Sequence, residues 1–193
     1  MIYAAKNFDH LISTPGFSDA LLKNHFTLYQ GYVKNVNIFI QEKKSLFEDG
    51  KADTPSYAEI QRRFGWEFNG MRLHELYFGN MKNGGSMPSN DSALAQAITG
   101  KYGSFDTFGK VFRAVGSMRG IGWAVLYYEP ESNELFSVWV NEHDMGHLAG
   151  CKPLLVLDIF EHAYVLDYGL KRADYIEAFF KAIDWSVVEQ RFI

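Results

Sequence analysis

Asp158 and His162 are the residues of this chain whose types and spacing most directly suggest chemistry. They lie in residues 153–168, PLLVLDIFEHAYVLDY, where an apolar run of strand character ends on the carboxylate and the imidazole follows four residues later. Carboxylates and imidazoles amid Leu, Val, Ile, Phe and Tyr are costly unless they are paired or coordinated. A carboxylate leaving a strand and an imidazole one turn on can converge on one metal ion. Two further histidines sit at helical spacing among apolar residues: His25 beside Leu22, Phe26 and Tyr29, and His74 within NGMRLHELYFGNM. A lone histidine on an apolar helix face is more often a core residue than a ligand. Two of them on facing helices, together with Asp158 and His162, shift that balance. Three imidazoles and one carboxylate suit iron, manganese or zinc. A structural zinc site more often uses cysteine, and Cys151 is the single cysteine here.

Composition narrows the class. The 193 residues are enough to bury a sizeable core, and 16 Phe, 11 Tyr and 4 Trp favour a rigid, densely packed one. A net charge of −4 with no basic block argues against nucleic acid as a partner. One cysteine excludes an internal disulfide, and no apolar run reaches membrane length. The expectation is a soluble, cytoplasmic protein that associates with neither nucleic acid nor membrane.

The elements that must position these groups are legible from period and punctuation. Residues 18–48 carry apolar groups at helical spacing after Thr14-Pro15-Gly16, a start signal. A second helix is predicted over 57–82, stopping at Asn83-Gly84-Gly85. Together they suggest an antiparallel helical hairpin. Residues 83–91, rich in Gly, Ser, Asn and Pro, form the boundary candidate, which divides the chain into 1–85 and 86–193. Beyond it, 92–116 reads as short helices broken at Gly103, with Ser104 as an N-cap. The period then changes. Residues 122–128 and 134–141 form a β-hairpin about a turn at 129–133, 154–157 supply a third strand, and 173–192 close the chain as a helical region. The class is α+β: a helical hairpin first, then a three-stranded antiparallel sheet with flanking helices.

The string D-I-F-E-H-A-Y at 158–164 closely resembles the D-x-W-E-H-A-Y signature of the iron/manganese superoxide dismutases. NHFTLYQGYVKN resembles the first-ligand helix of that family, NGMRLHELYF its second-ligand segment, and GIGWAVL its GSGW segment. The resemblance implies that His25, His74, Asp158 and His162 hold a mononuclear redox metal between the two domains. It makes Tyr32 the gateway tyrosine and Trp123, Phe78 and Phe160 the active-site wall. It implies that Glu161 and Tyr164 belong to a dimer bridge, that Arg172 steers the superoxide anion, and that the protein is a homodimer or homotetramer. The activity implied is conversion of superoxide to dioxygen and hydrogen peroxide.

The chain departs from the family pattern in several places. The segment between His25 and Tyr32 is one residue shorter than the most common spacing, a difference that a local change in helix winding could absorb. Leu28 and Tyr29 replace a histidine pair, one of which normally bonds across the dimer to the tyrosine that is Tyr164 here. Phe160, Phe78 and Val125 stand where relatives carry Trp. Gly70 occupies the position of the outer-sphere Gln of many iron members, and His143 that of many manganese members. The resemblance therefore implies one iron per subunit, with manganese, or use of either metal, as the alternative. His147 and His10 are read as structural. Two other readings compete: a relative with a structural or assembly role and no dismutase activity, and a di-iron carboxylate protein. The second requires paired E-x-x-H motifs, and the chain contains none.

Overall fold

The computed structural model describes residues 2–89 and 91–192, so Asn90 of the expected boundary segment lies outside the described residues. Helix α1 (Asp19–Glu48) begins at Ser18, whose hydroxyl accepts from the Leu21 amide and satisfies one of the free N–H groups of the first turn. Its buried residues Leu21, Leu22, His25, Phe26, Tyr29, Tyr32, Val33 and Val36 recur every three or four positions and so form one stripe. Helix α2 (Pro55–Gly79) starts with Thr54 as cap and Pro55 in the first turn, where a missing N–H costs nothing. The two helices pack as the expected hairpin.

Helix α2 ends three residues earlier than the sequence suggests. Asn80 stops it, because its side chain is committed on both sides. The amide Nδ2 donates to the Tyr77 carbonyl (2.7 Å), and Oδ1 accepts from the Val156 amide (2.8 Å) of the sheet. Met81 then pairs with Ile183 as an isolated bridge, which requires extended backbone, and Gly84-Gly85 turn the chain only afterwards.

Helices α3 (Ala93–Tyr102) and α4 (Phe105–Gly116) are separated at Gly103, which has φ +81°, with Ser104 capping α4 as expected. Strands β1 (Gly122–Glu129), β2 (Glu134–Asn141) and β3 (Lys152–Asp158) form one antiparallel sheet in the order β2-β1-β3. Central strand β1 pairs Val125 with Val138 on one side and Val156 on the other. Its first six residues are buried, which explains its continuous apolar run. The same pairing sets Trp123 opposite Asp158.

After β3 come a 3-10 turn at Glu161–Ala163 and a short helix α5 (Val165–Tyr168). The closing region is two helices rather than one, α6 (Arg172–Ala182) and α7 (Trp185–Phe192). The break falls at Ile183, which is extended because it bridges Met81. Arg191 of α7 donates to the carbonyls of Leu154 (2.7 Å) and Leu76 (3.0 Å), tying α7 to β3 and α2. Among the described residues no helix is long and apolar enough to cross a membrane.

Candidate metal centre

Four elements meet at one point. Helix α1 brings His25, α2 brings His74, the end of β3 brings Asp158, and the following 3-10 turn brings His162. One ligand atom from each lies within 4.8 Å of all the others. Oδ2 of Asp158 is 3.2 Å from Nε2 of His25, 3.2 Å from Nε2 of His162 and 3.6 Å from Nε2 of His74. Ligand atoms about 2.1 Å from a shared ion lie roughly 3–4 Å from one another, so these separations are those of a coordination shell.

The donors are prepared for a cation. His74 Nδ1 lies 2.6 Å from the Gly70 carbonyl, which can only accept, so the proton sits on Nδ1 and Nε2 presents its lone pair to the site. Nε2 of His25 and Nε2 of His74 are buried and have no hydrogen-bond partner, an arrangement that costs free energy unless an ion takes the lone pairs. Burial lowers the pKa of both rings, His74 well below its ordinary value, and the nearby Asp158 carboxylate offsets this only in part. Both are therefore neutral imidazoles at neutral pH, the form that ligates metal. Burial pushes the Asp158 carboxyl upwards, but the facing His162 and His25 outweigh it and hold the group well below the usual carboxylate range. Its other oxygen, Oδ1, accepts from the Phe160 amide (2.9 Å), and its carbonyl accepts from the Tyr175 hydroxyl (2.7 Å). One hard oxygen and three imidazole nitrogens form a donor set for a first-row transition ion.

The short spacing from His25 to Tyr32 needs no change in winding, and α1 stays a regular α-helix through both residues. Seven residues at 3.6 per turn fall about 20° short of two full turns, so both side chains share one stripe. Each ring accordingly packs on His74, with centroids 5.0 Å away for His25 and 5.1 Å for Tyr32.

Around the four residues is an outer layer. The Tyr32 hydroxyl and His143 Nε2 are 2.8 Å apart, and Trp123 Nε1 donates to His143 Nδ1 at 3.0 Å. An indole N–H can only donate, so Nδ1 accepts and neutral His143 carries its proton on Nε2, which donates to Tyr32. Burial lowers His143 to about 4, which keeps it neutral. Burial, with the charges of Asp158 and Glu67, raises the Tyr32 phenol well above its ordinary range, so it keeps its proton for donation elsewhere. A Cβ at Gly70 would lie 2.7 Å from Cδ1 of Tyr32, so the tyrosine ring fills the space of the missing side chain. Phe78 packs on His25 at 4.8 Å, Phe160 stacks on His162 at 5.1 Å and 17°, and Trp123 meets His74 edge-on at 5.0 Å.

The sequence that carries these residues matches the pattern of the C-terminal domain of iron/manganese superoxide dismutases over residues 90–191. It is 37% identical over 185 residues to the iron superoxide dismutase of Saccharolobus solfataricus, covering 92% of this chain and 86% of that one. The chain belongs to the iron/manganese superoxide dismutase family. A manganese superoxide dismutase of Haloferax volcanii is also 37% identical, over 92% of this chain and 88% of its own. An iron superoxide dismutase of Cupriavidus metallidurans is 36% identical over 92% and 89%.

The remaining site residues take definite places. Glu161 lies exposed on the 3-10 turn, whereas Tyr164 is buried and its hydroxyl accepts from Arg172 Nε (3.3 Å) of the same chain. Arg172 also donates to the carbonyls of Met118 (2.6 Å) and Gly120 (2.9 Å), so its charge is pinned to the segment before β1. Val125 lies in the middle of β1, wholly buried. His10 is on the surface. Sequence reasoning passed over Trp66, which lies eight residues before His74 on α2. Its ring covers His143 at 4.5 Å and Tyr32 at 5.5 Å. Two helical turns and a bit separate it from His74, a spacing that could have placed it on the same side.

Proposed function

We propose that this protein converts two superoxide ions and two protons into dioxygen and hydrogen peroxide at one iron ion held by His25, His74, Asp158 and His162. The convergence of four prepared donor atoms on one point, with two buried lone pairs otherwise orphaned, carries the reading. Manganese is the alternative occupant, and curated relatives of equal identity are named for each metal. When bound, such an ion supplies one-electron chemistry, accepting an electron from one superoxide and giving it to the next.

The residues of this chain do the rest. Asp158 contributes the single formal negative charge of the ligand set, leaving a multivalent cation with positive charge to attract a small anion. Phe78, Trp123 and Phe160 line the centre with apolar rings that exclude bulk water and bulky reductants. His143 donates its Nε2 proton to the Tyr32 oxygen, which leaves the Tyr32 hydroxyl free to donate towards the reacting anion. Arg172 adds a fixed positive charge on a net acidic protein and steers superoxide inward.

The reading also includes two structural units, 1–85 and 86–193, with the ion between them, since each unit contributes two of the four ligands. It includes a cytoplasmic homodimer or homotetramer in which Glu161 reaches the partner subunit's His162. The exposure of Glu161 beside exposed Val165, Leu166 and Leu170 supports such an interface.

Metal analysis and dismutase assay of the purified protein test the function, alongside Asp158→Asn. Near one iron per chain with peroxide-sensitive activity is expected, and loss of both in the variant. Manganese with peroxide-resistant activity would change the metal and keep the reaction. Neither metal nor activity, even after reconstitution with each ion, would leave only the structural role.

A further inference from the structure

We propose that His147, backed by Tyr127, is a positioning residue that aims His143 at Tyr32. The inference deepens the dismutase reading and rests on it. His143 sits between β2 and β3, at the start of a loop whose backbone is unfavourable at the residue just before it: Glu142 has φ +50°, whereas Gly146, at φ +101°, adopts that region freely. A non-glycine residue in the left-handed region costs free energy and persists only where neighbours hold it. The side chain of such a residue's neighbour does not stay aimed by itself.

Beside the Asn141–Met145 backbone bridge, two side chains from outside the loop and one from within it hold this segment. Trp66 Nε1 of α2 donates to Glu142 Oε2 at 3.0 Å, and Trp123 Nε1 donates to the His143 ring. The third grips the backbone of residue 143 itself: His147 Nε2 lies 2.8 Å from the His143 carbonyl. That carbonyl can only accept, so His147 carries its proton on Nε2. In the neutral ring Nδ1 then accepts from the Tyr127 hydroxyl at 2.6 Å. Both ring nitrogens are thus committed, leaving none for proton transfer, and the ring works as a fixed strut.

The strand supplies the spacing. Trp123 and Tyr127 lie four residues apart on β1, on one face of the strand and about 13 Å apart. His143 and His147 are also four residues apart, and each imidazole is held by one of the two β1 side chains. One strand therefore sets both the ring of His143, through Trp123, and its backbone, through Tyr127 and His147. Releasing the second grip lets the loop relax, and His143 loses alignment with both Trp123 and Tyr32.

The four indole N–H groups of the chain report on this directly in the metal-free protein by proton–nitrogen NMR. In His147→Ala the exchange rate of the Trp123 indole proton is expected to rise about tenfold or more, while those of Trp139 and Trp185 stay as in the parent. In the metal-loaded protein the same variant is expected to lose roughly 10-fold or more in kcat, the scale of lost groups that orient metal-site residues. His147→Gln keeps a side-chain N–H for the His143 carbonyl and restores both readouts. Tyr127→Phe, which keeps the ring and its packing, shifts them the same way by less. An unchanged Trp123 indole in His147→Ala overturns the proposal, as does an equal change in all four indoles, which would make His147 an ordinary fold residue. A parent protein without dismutase activity would instead overturn the functional reading, with the indoles still deciding whether His147 aims His143.

Discussion

Replacing Gly70 by alanine tests whether the Tyr32 ring occupies the space that a side chain on α2 would fill. The new Cβ would stand 2.7, 2.8 and 3.1 Å from Cδ1, Cε1 and Cγ of Tyr32. Carbon atoms settle at about 3.5–4.0 Å, so the ring must retreat by about 0.8 Å or more. It has little room to do so, since His74 and Trp66 pack against it with centroids 5.1 and 5.5 Å away. Overpacking of this kind costs about 1–3 kcal/mol. Alanine in a helix interior returns about 0.8–1 kcal/mol relative to glycine. The net expectation is a loss of up to about 2 kcal/mol. Gly65 on the same helix provides the reference, because a Cβ there meets nothing within 4 Å. Gly65→Ala should therefore gain up to about 1 kcal/mol. For a chain of this size each kcal/mol moves the midpoint by about 2–4 °C, so the two variants should melt on opposite sides of the parent. Calorimetry of the metal-free proteins reads the difference without interference from ion affinity. In the loaded proteins Gly70→Ala should also lose activity, because the displaced phenol is drawn off His143, and Gly65→Ala should not. A double-mutant cycle with Tyr32→Ala completes the test: without the ring, Gly70→Ala should become neutral or stabilising. If Gly70→Ala stabilises the parent as Gly65→Ala does, the ring does not press on that glycine and the reasoning fails.

The metal-free protein should lose stability as pH falls from about 6.5 to about 4. His25, His74 and His143 are held neutral by burial while the unfolded chain takes up protons. The fall of His143 from 6.5 to about 4 alone corresponds to roughly 3 kcal/mol lost across that window. Asp158 works the same way at lower pH, its contribution being present above the usual carboxylate range and lost below it. Urea midpoints that stay level between pH 7 and 4.5 would contradict the neutral-imidazole assignment. Arg172→Lys should cost about 1–2 kcal/mol, because one ammonium cannot serve the Met118 and Gly120 carbonyls and the Tyr164 hydroxyl together. It should keep the salt dependence of the rate, whereas Arg172→Met should flatten it. Equal salt slopes in the two variants would remove Arg172 from substrate steering.

Local pattern was enough for the parts of this protein that local physics controls. The stripe containing His25 and Tyr32, the caps Ser18 and Ser104, the break at Gly103 and the strand leading into Asp158 all follow from periodicity, capping and backbone preference within a few residues. The four-residue step from Asp158 to His162 was equally readable, since both ends belong to one turn of chain. Only the tertiary structure decided what depended on partners distant in sequence. Helix α2 stops at Asn80 because that side chain meets Val156, 76 residues away. The proton of His143 sits on Nε2 because Trp123, 20 residues earlier, donates to the other nitrogen, and that ring then faces Tyr32 from 111 residues away. Arg172 is pinned rather than free because the carbonyls of Met118 and Gly120 come to it across the fold. A side chain's chemistry follows from its type, but its tautomer, charge and aim follow from the groups around it, and those are set by packing.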